Sequence, residues 1–124
     1  MSLLLDTHAF LWWQFKDRRL SLAAREAITS TTTVFVSIAS AWEAAIKAAL
    51  GRMQLPESFA RGIEASGFKS LPITLAHTER VITLPRHHGD PFDRMLIAQA
   101  QAEALTIVSR DRWFEPYDVP VIWT

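Results

Sequence analysis

The sequence predicts an α/β fold: a mostly parallel central β-sheet of four to five strands, flanked by helices on both faces. Three observations predict it. Leu3-Leu4-Leu5 is an apolar run between turn and cap formers, the pattern of a strand buried on both faces. Further β-rich or buried runs recur at 33–37, 71–73, 105–109 and 119–123. Helical segments fall between them with short connections, in the order β-α-α-β-α-α-β-α-α-β-β, and parallel strands joined that way place their helices on both faces.

Composition sets the class. At 124 residues and 49% hydrophobic composition, the chain is expected to form one domain over 1–124, with a core between sheet and helices. Thirteen basic and thirteen acidic residues cancel, so any nucleic-acid surface has to be a local patch. The absence of cysteine excludes disulfides, thiolate chemistry and cysteine-ligated zinc, and fits a reducing cytoplasm. No apolar run approaches membrane-spanning length, and Met1-Ser2 lacks the basic start of a secretion signal. The expected location is the cytosol, away from membranes.

The elements follow in order. Asp6 ends the first strand, ahead of a helix over 9–15 that Thr7 is placed to cap. Phe10, Leu11, Trp12, Trp13 and Phe15 point all round that helix, so one apolar face cannot contain them. Either the helix is sandwiched, or part of it awaits a partner. A charged loop at 16–19 precedes a second helix, capped by Ser21 and running to about Ile28. Strand 33–37 centres on Val34-Phe35-Val36. Over 38–50, Ile38, Trp42, Ile46 and Leu50 recur at every fourth position, with alanines between them and Gly51 as the stop.

Pro56 opens a further helix to about Ser66, ended by Gly67. Leu71-Pro72-Ile73 reads as a short edge strand, because proline cannot donate to a ladder. Thr74 caps a helix that stops before Pro85. Asp90-Pro91 begins another through about Ala104, with Phe92, Leu96 and Ala100 on one face. Leu105 to Ser109 is a buried run, and the last strand, 119–123, contains Pro120.

The candidate chemistry lies in acids near strand carboxyl ends, where open α/β sheets bind ligands. Asp6 ends the first strand; Glu43 lies a turn and a half into the helix after the second. Asp93 is in the first turn of the helix before the 105–109 strand, and Asp111 follows that strand by two residues. Parallel neighbouring strands would turn all four toward one crevice. Two such charges about 4 Å apart repel by about 4 kcal/mol at an effective dielectric near 20. A crevice of that kind takes up protons or cations. Oxygen-only donors suit magnesium or manganese. A hard divalent ion in a carboxylate cleft suits phosphodiester cleavage, because it acidifies a bound water and stabilises the leaving oxygen.

Each acid also has a plainer use. Asp6 suits a helix cap, and Asp90 an N-cap with Asp93 serving the helix dipole. Glu43 and Lys47 form an i, i+4 pair worth about 0.3–0.5 kcal/mol when solvated. Asp111 suits a surface charge. One acid at each of four comparable positions is harder to assign to four separate accidents.

Four segments, in this order, carry a family resemblance. They are Leu-Leu-Leu-Asp-Thr-His (3–8), Val-Ser-Ile-Ala-Ser-Ala-Trp-Glu-Ala-Ala-Ile-Lys (36–47), His-His-Gly-Asp-Pro-Phe-Asp-Arg-Met-Leu-Ile-Ala-Gln-Ala (87–100) and Ile-Val-Ser-Arg-Asp (107–111). With them the chain resembles the PIN-domain family, specifically the VapC-type toxins of bacterial toxin–antitoxin pairs, over essentially its whole length. The resemblance implies a magnesium- or manganese-dependent endoribonuclease, neutralised by a cognate VapB-like antitoxin and usually dimeric. Asp6, Glu43 and Asp93 match the family's three core acids as catalytic metal ligands. Asp111 matches a fourth, more variable position. Thr7 and Ser109 match small hydroxyl positions that bond a ligand carboxylate or hold a metal-bound water. The antitoxin tail is expected along a groove made by the early helices, with helices elsewhere pairing two copies.

Arg94, Arg110 and Arg112 are candidates for a basic rim that holds RNA phosphates, or else for pairing with nearby acids. His87 and His88, being adjacent, are expected to point apart; with Arg86 they suit phosphate contact better than joint chelation of zinc. His8 reads as a helix-start residue and His77 as an ordinary helix residue. Two other functions stay open: a PIN-type nuclease processing RNA or DNA outside a toxin pair, and a non-catalytic interaction domain that keeps the acids. A phosphate-accepting receiver domain fits poorly, lacking a mid-chain acceptor strand and the lysine that should follow it.

Overall fold

Leu3, Leu4 and Leu5 are wholly buried, as an apolar run with no polar side to present requires. They form β1 (Ser2–Leu5), the central strand of the sheet. The computed structural model describes residues 1–55 and 58–124. Along the chain follow α1 (Thr7–Phe15), α2 (Leu22–Ser30), β2 (Thr33–Ser37), α3 (Ile38–Ala49), α4 (Phe59–Ala65), β3 (Lys69–Leu71), α5 (Leu75–Thr83) and α6 (Pro91–Glu103). Next come β4 (Thr106–Ser109), a short 3-10 turn (Arg112–Phe114) and β5 (Val121–Trp123).

The strand order is β3-β2-β1-β4-β5, with every neighbouring pair parallel. The chain steps outward from β1 through β2 to β3, then returns to the other side of β1 for β4. Such a reversal opens a crevice at the strands' carboxyl ends. The register fixes what meets there: Leu5 lies opposite both Val36 and Val108, which sets Asp6 beside Ser37 and Ser109.

Alternation along β1 divides the core. Leu3 and Leu5 pack with Phe10, Leu20, Ala24, Ile28 and Ile63, beneath α1, α2 and α4. Leu4 faces the opposite way, against Leu84, Leu96, Ile97, Phe114 and Tyr117 beneath α5 and α6. Helices therefore cover both faces. Between them, α3 meets both α1 and α6, closing the carboxyl edge.

Local signals place most boundaries. Ser21, Ser37, Thr74 and Asp90 each accept a backbone N–H at the start of a helix. Gly51 and Gly67, at φ 71° and 73°, supply the left-handed turns that follow α3 and α4. Pro56, the predicted opening of the fourth helix, lies outside the described residues; Ser58 caps α4 through Arg61.

Two expectations change, and the facing of α3 is a third finding. Asp6, rather than Thr7, caps α1, which begins at Thr7 instead of residue 9, because the Asp6 carboxylate accepts from Ala9 N. The edge strand is Lys69–Leu71, and the ladder stops before Pro72, which has no N–H to offer. The stripe that marks α3 as a helix faces outward: Ile38, Trp42, Ile46 and Leu50 are exposed at 43%, 61%, 38% and 61%. The buried residues of that helix are Ala39, Ser40, Glu43 and Ala44, whose small side chains let its backbone lie close to its neighbours.

Candidate active site

Asp6 is the centre of the site because it extends the central strand. Its N–H continues the ladder to Val108 O at 3.1 Å. One carboxylate oxygen accepts from Ala9 N at 2.8 Å; the other accepts a short hydrogen bond from the Ser109 hydroxyl. Burial pushes the Asp6 carboxyl up to about 6. The hydrogen bonds from Ser109 and Ala9 oppose that rise, while the charges of Asp111 and Glu43 add to it.

Glu43 reaches the same place from α3 and is buried, so its pairing is not that of a solvated helix surface. Thr7 Oγ1 donates to one oxygen at 2.6 Å, and Lys47 Nζ holds the other at 2.9 Å. Thr7 and Ser109, the two predicted hydroxyls, thus each donate to an acid.

Asp93 arrives on the first turn of α6. Burial, reinforced by Asp90, Asp6 and Asp111, pushes its carboxyl up to about 7, against the His88 hydrogen bond. Asp90 caps the helix by accepting from Phe92 N and Asp93 N at 2.9 and 3.0 Å. Asp111 is exposed; its N–H donates to Ser109 Oγ at 2.9 Å, and its carboxylate caps the 3-10 turn at Trp113 N. Asp6 and Asp90 therefore keep their capping uses, while Glu43 does not stay a solvated surface pair. Charge still links Asp6 to Glu43 and Asp111, and Asp93 to Asp6 and Asp111.

His88 is the residue that sequence reasoning undervalued. The two adjacent histidines do point apart: His87 sits edge-on to Tyr117, at 5.2 Å and 76°. His88 instead turns inward, its Nε2 lying 2.9 Å from Asp93 Oδ2 and its ring stacked on Trp113. Donor atoms of His88, Asp90 and Asp93 all lie within 4.8 Å of one another, the one tight group of potential metal donors among the described residues. Its signal was the spacing His-x-Asp-Pro-x-Asp, which places a ring and two carboxylates around one helix start.

Arg94 has partners other than the predicted phosphates or acids. Its guanidinium donates to the carbonyls of Val81, Leu84 and Pro85 at 3.1, 3.3 and 2.8 Å, with longer bonds to His88 O and Tyr117 Oη. It clamps the segment that carries His88. Arg110 is exposed beside Asp111, and Arg112 lies 4.2 Å over the Trp123 ring.

A second polar network holds α3 and α6 in place. Ser37 donates to Gln99 Oε1 at 2.6 Å, and Gln99 Nε2 reaches Pro72 O at 3.2 Å. His77, read from sequence as an ordinary helix residue, is buried beside it; its Nδ1 accepts from Thr74 N and its Nε2 meets Glu103. Since Nδ1 accepts, the neutral ring carries its proton on Nε2 and donates it to Glu103.

A parallel α/β sheet with acids gathered at its switch point defines the class, and the PIN domain family model matches residues 3–119: the chain belongs to that family. Ribonuclease VapC22 of Mycobacterium tuberculosis (strain ATCC 25618 / H37Rv) is 32% identical over 114 residues, covering 90% of this chain and 88% of that protein. Among solved structures, VapBC2 from Rickettsia felis bound to a promoter DNA fragment superposes with a TM-score of 0.73 at 14% identity, covering 98% of both chains. A toxin–antitoxin complex from Klebsiella pneumoniae gives 0.65 at 20% identity, covering 97% of this chain and 95% of that one.

Proposed function

We propose that the protein is a magnesium- or manganese-dependent endoribonuclease, the toxin of a toxin–antitoxin pair. What supports this reading is electrostatic: Asp6 feels the charges of Glu43 and Asp111, Asp93 feels those of Asp90, Asp6 and Asp111, and burial first of all pushes the two carboxyls up to about 6 and 7. Carboxyls that resist ionisation in a polar crevice are suited to a cation that replaces their protons. The donors fit: carboxylate oxygens, with one imidazole at the margin. Asp6, Glu43, Asp93 and Asp111 would hold the ion, which when bound supplies Lewis acidity to a phosphodiester and lowers the pKa of water. Ser109 and Thr7 aim the Asp6 and Glu43 carboxylates, and Lys47 steadies the second Glu43 oxygen. Arg110, exposed beside Asp111, is the residue available to meet RNA phosphates, while Arg112 lies over the Trp123 ring.

RNA incubated with the purified protein and manganese should be cut, and EDTA should stop cutting. Asp6→Ala and Asp93→Asn, checked for folding by circular dichroism, should lose it too. Unchanged cleavage by either folded variant removes this reading.

The partner is an antitoxin, as in the toxin–antitoxin complexes the fold resembles. An open groove of about 770 Å³ between α1, α2 and α4 supports this: Trp13, Leu20 and Leu22 line it beside Lys16, Arg18 and Arg25. Apolar walls with basic flanks suit a segment of mixed apolar and acidic side chains. The exposed stripe of α3 is the surface for a second copy of the chain. Trp42→Glu should convert a dimer to a monomer in light scattering, and a monomeric parent chain refutes the pairing.

A further inference from the structure

We propose that the Trp113 indole, backed by His88, is a stacking platform for one unpaired nucleobase of the substrate beside the acids; this rests on the ribonuclease reading. The 3-10 turn divides two neighbouring aromatics. Phe114 is buried in the core at 1% exposure, whereas Trp113 stands 57% exposed. Core packing therefore does not explain Trp113.

Its setting is nonetheless fixed. Trp113 N donates to Asp111, Asp111 N donates to Ser109, and Ser109 donates to Asp6. The indole lies nearly parallel to the His88 ring, with centroids 5.1 Å apart and 7° between planes. His88 in turn bonds Asp93. One indole face is thus covered by a ring anchored to the acids, and the exposed remainder is presented to solvent.

The chemistry of the surroundings selects the occupant. A flat ring stacks on a flat ring, and the exposed Arg110, next to Asp111, supplies charge for an attached phosphate. A flat group carrying a phosphate is a nucleotide. Only an unpaired one offers its face, because bases in a duplex are stacked on each other. The Trp113–His88 stack would set that base, and the acids would take the adjoining phosphodiester.

The test uses a short single-stranded RNA that the wild-type chain cuts, under single-turnover conditions with manganese. Trp113→Ala and Trp113→Leu should raise the half-saturating protein concentration about 5- to 150-fold, the range measured for losing one stacked base, while Trp113→Phe should stay within a few fold. An abasic nucleotide scanned through the RNA should reproduce the loss at one position. At that position it should add nothing to Trp113→Ala. Wild-type half-saturation in Trp113→Ala overturns the platform, as does rescue by leucine equal to phenylalanine, or an abasic penalty that persists in full in Trp113→Ala. Leucine rescue would indicate an apolar protein contact instead. A wild-type chain that cuts no RNA removes the ribonuclease reading and the platform together; intact cutting with indifferent variants removes the platform alone.

Discussion

Thr7 and Glu43, separated by 36 positions, share a hydrogen bond of 2.6 Å in which the hydroxyl of α1 aims the carboxylate of α3. Removing the donor leaves a buried carboxylate oxygen without its partner, a loss of about 1–3 kcal/mol. Thr7→Val should lower unfolding free energy in urea by that order and weaken manganese binding in calorimetry. Thr7→Ser should restore both. A Thr7→Val chain with parental stability and affinity would mean that Glu43 is held by Lys47 alone.

The acids also set an unusual pH dependence. Asp6 and Asp93, raised from 3.8 to about 6 and about 7, hold their protons more tightly in the fold than in the unfolded chain. They favour folding when protonated, and that contribution is lost as pH rises through 6 to 7. Asp17, drawn down to about 2 by its hydrogen bond from Arg19, titrates outside this window. His8, held below its ordinary value by burial and then Lys47, acts in the opposite sense, so a His8→Gln background isolates the acids. In EDTA, the melting temperature should be higher at pH 5 than at pH 8. Asp6→Asn should raise it at pH 8, and manganese should raise it far more at pH 8 than at pH 5. A metal-free melting temperature that climbs steadily from pH 5 to pH 8 contradicts the account.

Gln99 ties the β2 end to α6, and α3 starts from the same serine. Gln99→Leu keeps the volume but leaves the buried Ser37 hydroxyl without its acceptor and the Pro72 carbonyl without this donor. The expected cost is about 1–3 kcal/mol, as for one buried group left unpaired. Manganese affinity should fall as well, since Glu43 and Asp93 ride on the helices it joins. Urea denaturation and calorimetry on the same variant check both; an effect on stability with unaltered affinity would limit Gln99 to packing.

Arg94 and Arg110 should separate cleanly. Arg94→Ala frees the 81–88 segment that holds His88, so it should slow cleavage without changing how RNA binding depends on salt. Arg110→Ala should leave folding alone and reduce the slope of log affinity against log salt by about one. Fluorescence anisotropy across a salt series distinguishes them, and equal slopes for wild type and Arg110→Ala would take Arg110 off the RNA path.

The legible parts of this molecule are those with local causes. Leu3-Leu4-Leu5, the caps at Ser21, Thr74 and Asp90, and the stops at Gly51 and Gly67 are specified by near neighbours. The four acids were visible because each follows a strand or opens a helix. The facing of α3 was not, since a repeat of bulky apolar residues indicates a helix without saying which side is inward. Asp6 and Thr7 compete for one capping position, and only the strand register decides between them. His88, Gln99 and Trp113 act across the fold, and Arg94 on backbone carbonyls, which carry no residue-specific pattern.

The place of β1 has a consequence for biosynthesis. Its first partner, β2, leaves the ribosome early, whereas β4, on its other side, emerges only after most of the chain has been made. Ser109, which supports Asp6 from 103 positions away, comes with that late strand. A nascent chain that stops short of Thr106 therefore carries Asp6 on a bare strand edge, without the hydroxyl that orients it. The long-range pairing that brings Ser109 to Asp6 is thus among the last features a growing chain can complete.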